Sequence, residues 1–214
     1  MDKKHFIARR TARCFHDGDI VNLGVGIPEL TSLYTSPGVV FQAESGFIGM
    51  GPYSDGLERS EHYFNAATDL CRPVFGASTC DLAGSFAIMR SGRLDATVLG
   101  TLQVSQYGDI SNWASPSRCF GMGGAMDLVS GAKKVIVTTE HCTKNGAPKI
   151  LRECTLPYTG RRCVDLIITE LCVFSVTSEG LLLEEIAPGV TVEEVQAKTD
   201  APFRIAEDLK VMEV

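Results

Sequence analysis

The sequence predicts an α/β fold, with a single open, mostly parallel sheet, helices on both of its faces and an antiparallel edge. Three observations lead there. Short apolar, β-branched runs of strand length alternate with segments of helical spacing through the first two thirds of the chain. Glycine-rich turns separate them. Towards the end three β-rich runs follow one another, with Ser178-Glu179-Gly180 as the second turn, which is the signature of antiparallel neighbours. No linker, low-complexity segment or internal repeat interrupts the 214 residues, so residues 1–214 are expected to form one domain.

Residues 3–16 place Ile7, Thr11 and Phe15 on one face at helical spacing, and Asp17-Gly18 supplies a stop. Ile20 to Leu23 then reads as a strand and Gly24-Val25-Gly26-Ile27-Pro28 as a tight turn. Glu29 to Tyr34 reads as a short helix and Val39 to Gln42 as a second strand. Together these make a βαβ unit, whose strands are expected to be parallel. The alternation continues with a helix over residues 84–92, a strand from Ala96 to Leu99, a helix from Met126 to Gly131 and a strand from Val135 to Thr138. VDLIITE, CVFSVT and LLLEEI are the three late β-rich runs. Thr191 with Glu194 makes a capping box for a last helix, TVEEVQAK.

A net charge of −6 argues against a nucleic-acid binder, which needs a basic face to neutralise phosphates. The opening MDKKHFIARR lacks the apolar core of a signal peptide. No stretch reaches the ~18 apolar residues of a membrane span, so a cytoplasmic protein is expected. The eight cysteines include no C-x-x-C pair, and Cys154, Cys163 and Cys172 sit among strand-like runs as core thiols. His5, His16, His62 and His141 lack metal-ligand spacing and read as ordinary surface or partly buried histidines, a Glu140-His141 proton relay being the weaker alternative. No metal site is expected.

Three glycine clusters interrupt the pattern beside strands: Gly24-Val25-Gly26, Gly46 to Gly51, and Gly121-Met122-Gly123-Gly124. Glycine lets backbone N–H groups approach a ligand or a developing oxyanion, and in open α/β sheets ligands bind beyond the carboxyl ends of strands. The first cluster is not a dinucleotide fingerprint, because Glu29 stands where the third glycine would be, and no P-loop or G-x-S-x-G elbow occurs. The third runs straight into a helix start, where unpaired N–H groups are available to an anion. Against this background one charge stands out. The run Val39-Val40-Phe41 delivers Glu44 into a stretch of small and apolar residues, Phe47, Ile48 and Met50 among them. A poorly hydrated carboxylate there makes a nucleophile that needs no partner base.

AESGFIGMGP, residues 43–52, resembles the Ser-Glu-Asn-Gly signature of the second (B, or β) subunit of family I CoA transferases. The likeness extends through DGDIVNLGVGIP, FGMGGAMDLVSGAKKVIVTTEH, NGAPKILRECTLP and EIAPGVTVEEVQAKT, which are similar to blocks of the short-chain acyl-CoA:acetate or acetoacetate transferase B subunits. The resemblance implies an open α/β fold shared with certain sugar-phosphate isomerases. It implies an acyl-CoA:carboxylate CoA-transferase that works by a ping-pong mechanism through a glutamyl-CoA thioester on Glu44. Backbone groups of Gly24, Val25, Gly26, Ser45, Gly46, Gly123 and Gly124 would contact CoA or an oxyanion. Coenzyme A is then a substrate, with no permanently bound cofactor, and the partner is a CoA transferase A (α) subunit in an αβ-based hetero-oligomer such as α2β2. Two departures bear on the acyl group: Ala43-Glu44-Ser45-Gly46 replaces Ser-Glu-Asn-Gly, and Asn65-Ala66-Ala67-Thr68-Asp69-Leu70 stands where relatives tend to read Asn-Ala-Gly-Gly-Gln-Pro. The rival readings are a sugar-phosphate isomerase or effector-binding module of the same fold, with Glu44 as a base, and a non-catalytic partner subunit.

Overall fold

The computed structural model describes residues 2–51, 62–65, 70–119 and 121–214. Ten strands form one sheet: β1 Ile20–Leu23, β2 Val40–Ala43, β3 Phe47–Met50, β4 Pro73–Thr79, β5 Ala96–Gly100, β6 Val135–Thr138, β7 Leu166–Ile168, β8 Cys172–Thr177, β9 Gly180–Ile186 and β10 Phe203–Val211. They lie in the order β10-β9-β8-β7-β6-β5-β1-β2-β3-β4. The centre, β7-β6-β5-β1-β2, is parallel throughout. Antiparallel pairing runs through β7-β8-β9, as the sequence predicts, and also through β2-β3-β4 on the other flank. The outermost strand, β10, returns parallel to β9.

The helices are α1 Lys3–Ala12, α2 Ile27–Leu30, α3 Leu82–Arg90, α4 Ala125–Gly131 and α5 Val192–Lys198. Side-chain alternation along the buried strands separates two cores. Val135 and Val137 of β6 face one side with Met89 of α3, Leu128 and Val129 of α4 and Val195 of α5. Ile136 faces the other side with Ile7 of α1. Helices therefore cover both faces, and continuous apolar strands such as β6 are what a doubly covered parallel sheet requires.

Element by element, most of the sequence reading stands, with several differences; the helix expected over 29–34 begins within the expected turn, at Ile27, and after Leu30 tightens to a 3-10 turn over Thr31–Leu33. The first helix ends at Ala12, earlier than the spacing suggests, although Ile7, Thr11 and Phe15 are all buried. At α5 the Thr191 hydroxyl accepts the Glu194 N–H at 3.2 Å, but the Glu194 carboxylate pairs with Lys198 and leaves the capping box half made. The glycine cluster over 46–51 contains the strand β3. Finally, β4 and β10 are additional strands. β4 is irregular: Met50 pairs with Pro73 and Ile48 with Ser78, so residues 74–77 bulge outwards opposite Gly49, and Phe75 stands fully exposed on that bulge.

The chain steps from β1 to β2 on one side, and β5, β6 and β7 then build on the other. β1 therefore marks the point where the strand order reverses. Leu23, Ala43 and Gly100 end β1, β2 and β5 side by side there, Leu23 leading into Gly24-Val25-Gly26 and Ala43 into Glu44.

Candidate active site

Glu44 leaves β2 at the tip of the β2–β3 hairpin. The turn is closed by the Gly46 N–H donating to the Ala43 carbonyl at 3.0 Å. Gly46 holds φ +99°, and a Cβ there would collide with the Cys80 carbonyl oxygen, so only glycine meets both demands. This tight turn swings the Glu44 side chain back over the sheet, where it is half-buried.

The carboxylate meets the third glycine cluster. The Gly124 N–H, in the cap position of α4, donates to Glu44 Oε2 at 3.1 Å. A Cβ on Gly124 would sit 2.6 Å from the same oxygen, and one on Gly123, whose φ is +54°, would sit 3.2 Å from Oε1. The two glycines let a helix start close directly on the carboxylate, which suits the positive end of the helix. The arrangement opens into a cleft of about 310 Å³ lined by Asn22, Gly24, Val25, Glu44, Leu99 and Met122 with Gly121 and Gly123. Its size suits a small organic group.

Of the residues picked out by sequence, Glu44, Gly24, Val25, Gly123 and Gly124 come together. Gly24 also lets β1 pass close to β5, since its N–H donates to the Val98 carbonyl at 2.8 Å and a Cβ would lie 3.0 Å from that oxygen. Val25 is 60% exposed at the cleft mouth. Gly26 does not line the cleft: it caps α2, and its N–H donates to Glu29 Oε2 at 3.1 Å, while Asn65 Nδ2 donates to Glu29 Oε1 at 2.6 Å. Ser45 and Gly46 line a separate depression of about 250 Å³ with Phe47, His62, Tyr63 and Phe64. The Ser45 hydroxyl donates to the Phe64 carbonyl at 3.2 Å. Of the Asn65 to Leu70 departure, residues 66–69 lie outside the described residues.

Two sequence readings need correction. Phe47 and Met50 belong to the core beneath the sheet, Phe47 stacking on Tyr63, so they do not flank the carboxylate; the glycines at 123 and 124 do. His141 is fully buried, with its ring nitrogens 3.0 and 2.9 Å from the hydroxyls of Thr169 and Thr199. Burial pushes its pKa down to about 4, so it is a neutral packing residue with both nitrogens engaged and no relay to Glu140. Among the thiols, Cys154 and Cys172 are buried and Cys163 half-buried, all three pushed up by burial. What sequence reading missed is the buried polar layer under the hairpin, Asn22, Gln42 and Ser85. Its signal was present in Gln42, an amide two residues before Glu44 in an otherwise apolar strand. Among the described residues no group of three or more His, Cys, Asp or Glu gathers as around a metal ion, and no helix is long and apolar enough to cross a membrane.

Residues 5–198 match the family described as Coenzyme A transferase. The chain is 46% identical over 217 residues to the acetate CoA-transferase subunit beta of Haemophilus influenzae, covering 100% of this chain and 97% of that protein. It is 47% identical over 212 residues to the mouse mitochondrial succinyl-CoA:3-ketoacid coenzyme A transferase 2B, covering 97% of this chain but only 41% of that longer protein. Among solved structures, an acyl-CoA transferase (YdiF) from Escherichia coli O157:H7 in a thioester complex with CoA superposes with a TM-score of 0.79 at 25% identity. That match covers 100% of this chain and 43% of that one. The decarboxylase AibA/AibB, at 20% identity and a TM-score of 0.73 over 99% of this chain and 88% of that one, shares the fold alone. By sequence along nearly its whole length and by fold, the chain belongs to the coenzyme A transferase family.

Proposed function

We propose that this chain is the glutamate-bearing subunit of a two-subunit enzyme that moves CoA from an acyl-CoA thioester to a short-chain carboxylic acid. The observation that carries the reading is the Glu44 carboxylate, held 3.1 Å from the Gly124 N–H at a helix start and facing a cleft sized for a small acyl group. A Glu44 oxygen attacks the acyl carbonyl carbon, the C–S bond breaks, and CoA leaves as thiolate; the product is a mixed anhydride. The thiolate then attacks Glu44 Cδ, the bond from Cδ to the bridging oxygen breaks, and the donor acid leaves as carboxylate. An incoming carboxylate reverses both steps and departs as the new acyl-CoA. Thioester is exchanged for thioester, so the reaction is nearly balanced and the protein's task is positioning, oxyanion stabilisation and exclusion of water.

The contact between the Gly124 N–H and Glu44 supports a part for Gly124 in the second step. When thiolate adds to Glu44 Cδ, negative charge develops on the oxygen that already accepts the Gly124 N–H, and a preplaced backbone donor stabilises it without reorganisation. Gly24, Val25 and Gly123 border the path of the acyl-thioester; Gly26, Ser45 and Gly46 act by shaping loop and turn. CoA enters as a substrate, and no resident cofactor is invoked. The relatives' designation as subunit beta, and the longer mouse relative of which this chain matches 41%, support a partner A (α) subunit; an assembly such as α2β2 in the cytoplasm is part of the proposal.

The test is to co-express the chain with its A subunit and incubate the complex with a panel of acyl-CoAs but no acceptor acid. Borohydride then reduces any thioester, and peptide mass analysis should find the modification on Glu44. Glu44→Gln, nearly isosteric, should abolish exchange and leave folding intact. Retained turnover, or an adduct elsewhere, refutes the assignment and favours the isomerase or non-catalytic readings.

A further inference from the structure

Beneath the cleft runs a buried row of amides and hydroxyls that the chemistry above does not use. The register of the parallel strands sets Gln42, Asn22 and Thr97 side by side across β2, β1 and β5. Asn22 Nδ2 donates to Gln42 Oε1 at 2.7 Å and to the Gln42 carbonyl at 3.1 Å, and the Thr97 hydroxyl donates to Asn22 Oδ1 at 3.4 Å. Gln42 Nε2 donates to the Ala43 carbonyl at 2.9 Å and to the Ser85 hydroxyl of α3 at 3.0 Å. All four side chains are buried, Gln42, Ser85 and Thr97 completely. A buried polar network of this kind costs desolvation that an apolar row of the same shape would avoid.

Its connections show what it holds. The Ala43 carbonyl is the acceptor that closes the Glu44 turn, so the Gln42 amide grips the closing atom of that turn. Asn22 lines the cleft and stands two residues before Gly24. Ser85 lies one helical turn before Met89, whose Cε would be 2.8 Å from a Cβ on Gly124 and whose carbonyl would collide with one on Gly131. One helix, α3, thus touches the turn that carries the carboxylate through Ser85 and Gln42, and the segment that carries its N–H donor through Met89.

We infer that Gln42 and Ser85 are positioning residues, which fix the Glu44 turn relative to the Gly123-Gly124 donors and so set the rate of acyl transfer to Glu44. This rests on the reading of Glu44 as the nucleophile. Apolar residues of equal size would keep the strand buried but leave the turn free to shift. Displacement of a reacting group by about 1 Å costs up to about 10²-fold in rate.

The measurement is the single-turnover rate of borohydride-trapped Glu44 adduct in the complex with its A subunit, using acetyl-CoA and acetoacetyl-CoA without acceptor acid. Gln42→Met should slow adduct formation by about 10²-fold and Ser85→Ala by about 10-fold, with KM for acyl-CoA within about 3-fold of the parent. The double variant should be no more than about 3-fold slower than Gln42→Met alone, because the two act as one unit. A merely structural role would lower the melting temperature and leave the adduct rate unchanged. If Gln42→Met does not fold, Ser85→Ala decides alone. Adduct rates within about 2-fold of the parent in the folded variants overturn the inference. Glu44→Gln in the same assay separates the two claims: if it still turns over, the nucleophile assignment itself has failed.

Discussion

Gly124 offers the sharpest separation of catalysis from stability. Its backbone, at φ −83° and ψ 4°, lies in a negative-φ region that alanine can adopt, so no positive-φ strain opposes the change. The added Cβ would instead lie 2.6 Å from Glu44 Oε2, about 0.8 Å inside ordinary contact at 3.4 Å, and 2.8 Å from Met89 Cε. The methionine tip can rotate away; the carboxylate is the group that must yield, and the 3.1 Å hydrogen bond stretches with it. Losing one preorganised donor, or displacing the nucleophile by about 1 Å, is worth roughly 10²-fold in rate, or about 3 kcal/mol of transition-state stabilisation. The folding cost should be only about 1 kcal/mol, the difference between glycine and alanine at a helix cap plus a minor rearrangement of Met89. CoA exchange by the assembled enzyme, measured beside thermal unfolding, checks both halves. Activity within about 3-fold of the parent would refute the claim that this oxygen and this N–H work as a pair.

Two further outcomes concern stability. Arg10 makes a two-pronged ion pair with Glu185 at 2.7 and 2.6 Å in a largely buried setting, whereas Arg13 meets Glu213 in the open. Arg10→Met should therefore lose roughly 2–4 kcal/mol in denaturant unfolding and Arg13→Met less than about 0.5; equal losses would show that burial does not set the difference. His141 has a folded pKa of about 4 against about 6.5 when unfolded, so between these values only the unfolded chain takes up a proton. Stability should fall as pH drops through that window, by up to about 3 kcal/mol, and His141→Gln should flatten that part of the profile in melts at successive pH values.

Strand and helix periodicity made the parallel centre legible because β1, β5 and β6 are buried and carry short β-branched runs, each broken by at most one polar residue before its last position. The flanks were harder. β3 is four residues broken by Gly49 and reads as glycine punctuation, and β10, FRIAEDLKV, mixes charged with apolar residues without a strict alternation. Glu44 was visible as a charge in the wrong surroundings, but its partner was not. Gly124 lies 80 residues away in the chain, and a backbone N–H has no letter of its own. Likewise Gln42 and Ser85 look like ordinary polar residues until α3 packs beside β2 and brings them within 3.0 Å of one another. Gly26 and Ser45 were grouped with the site through the resemblance; in the structure Gly26 caps α2 and Ser45 lines the neighbouring depression.

The bulge in β4 bears on how the free chain avoids self-association. An outer strand with an exposed aromatic ring would ordinarily invite a neighbouring molecule to extend the sheet, beginning an aggregate. With residues 74–77 thrown out of register opposite Gly49, the outer N–H and C=O groups lose the even spacing that another strand needs. The margin leaves Phe75 in the open yet is a poor template for a further strand.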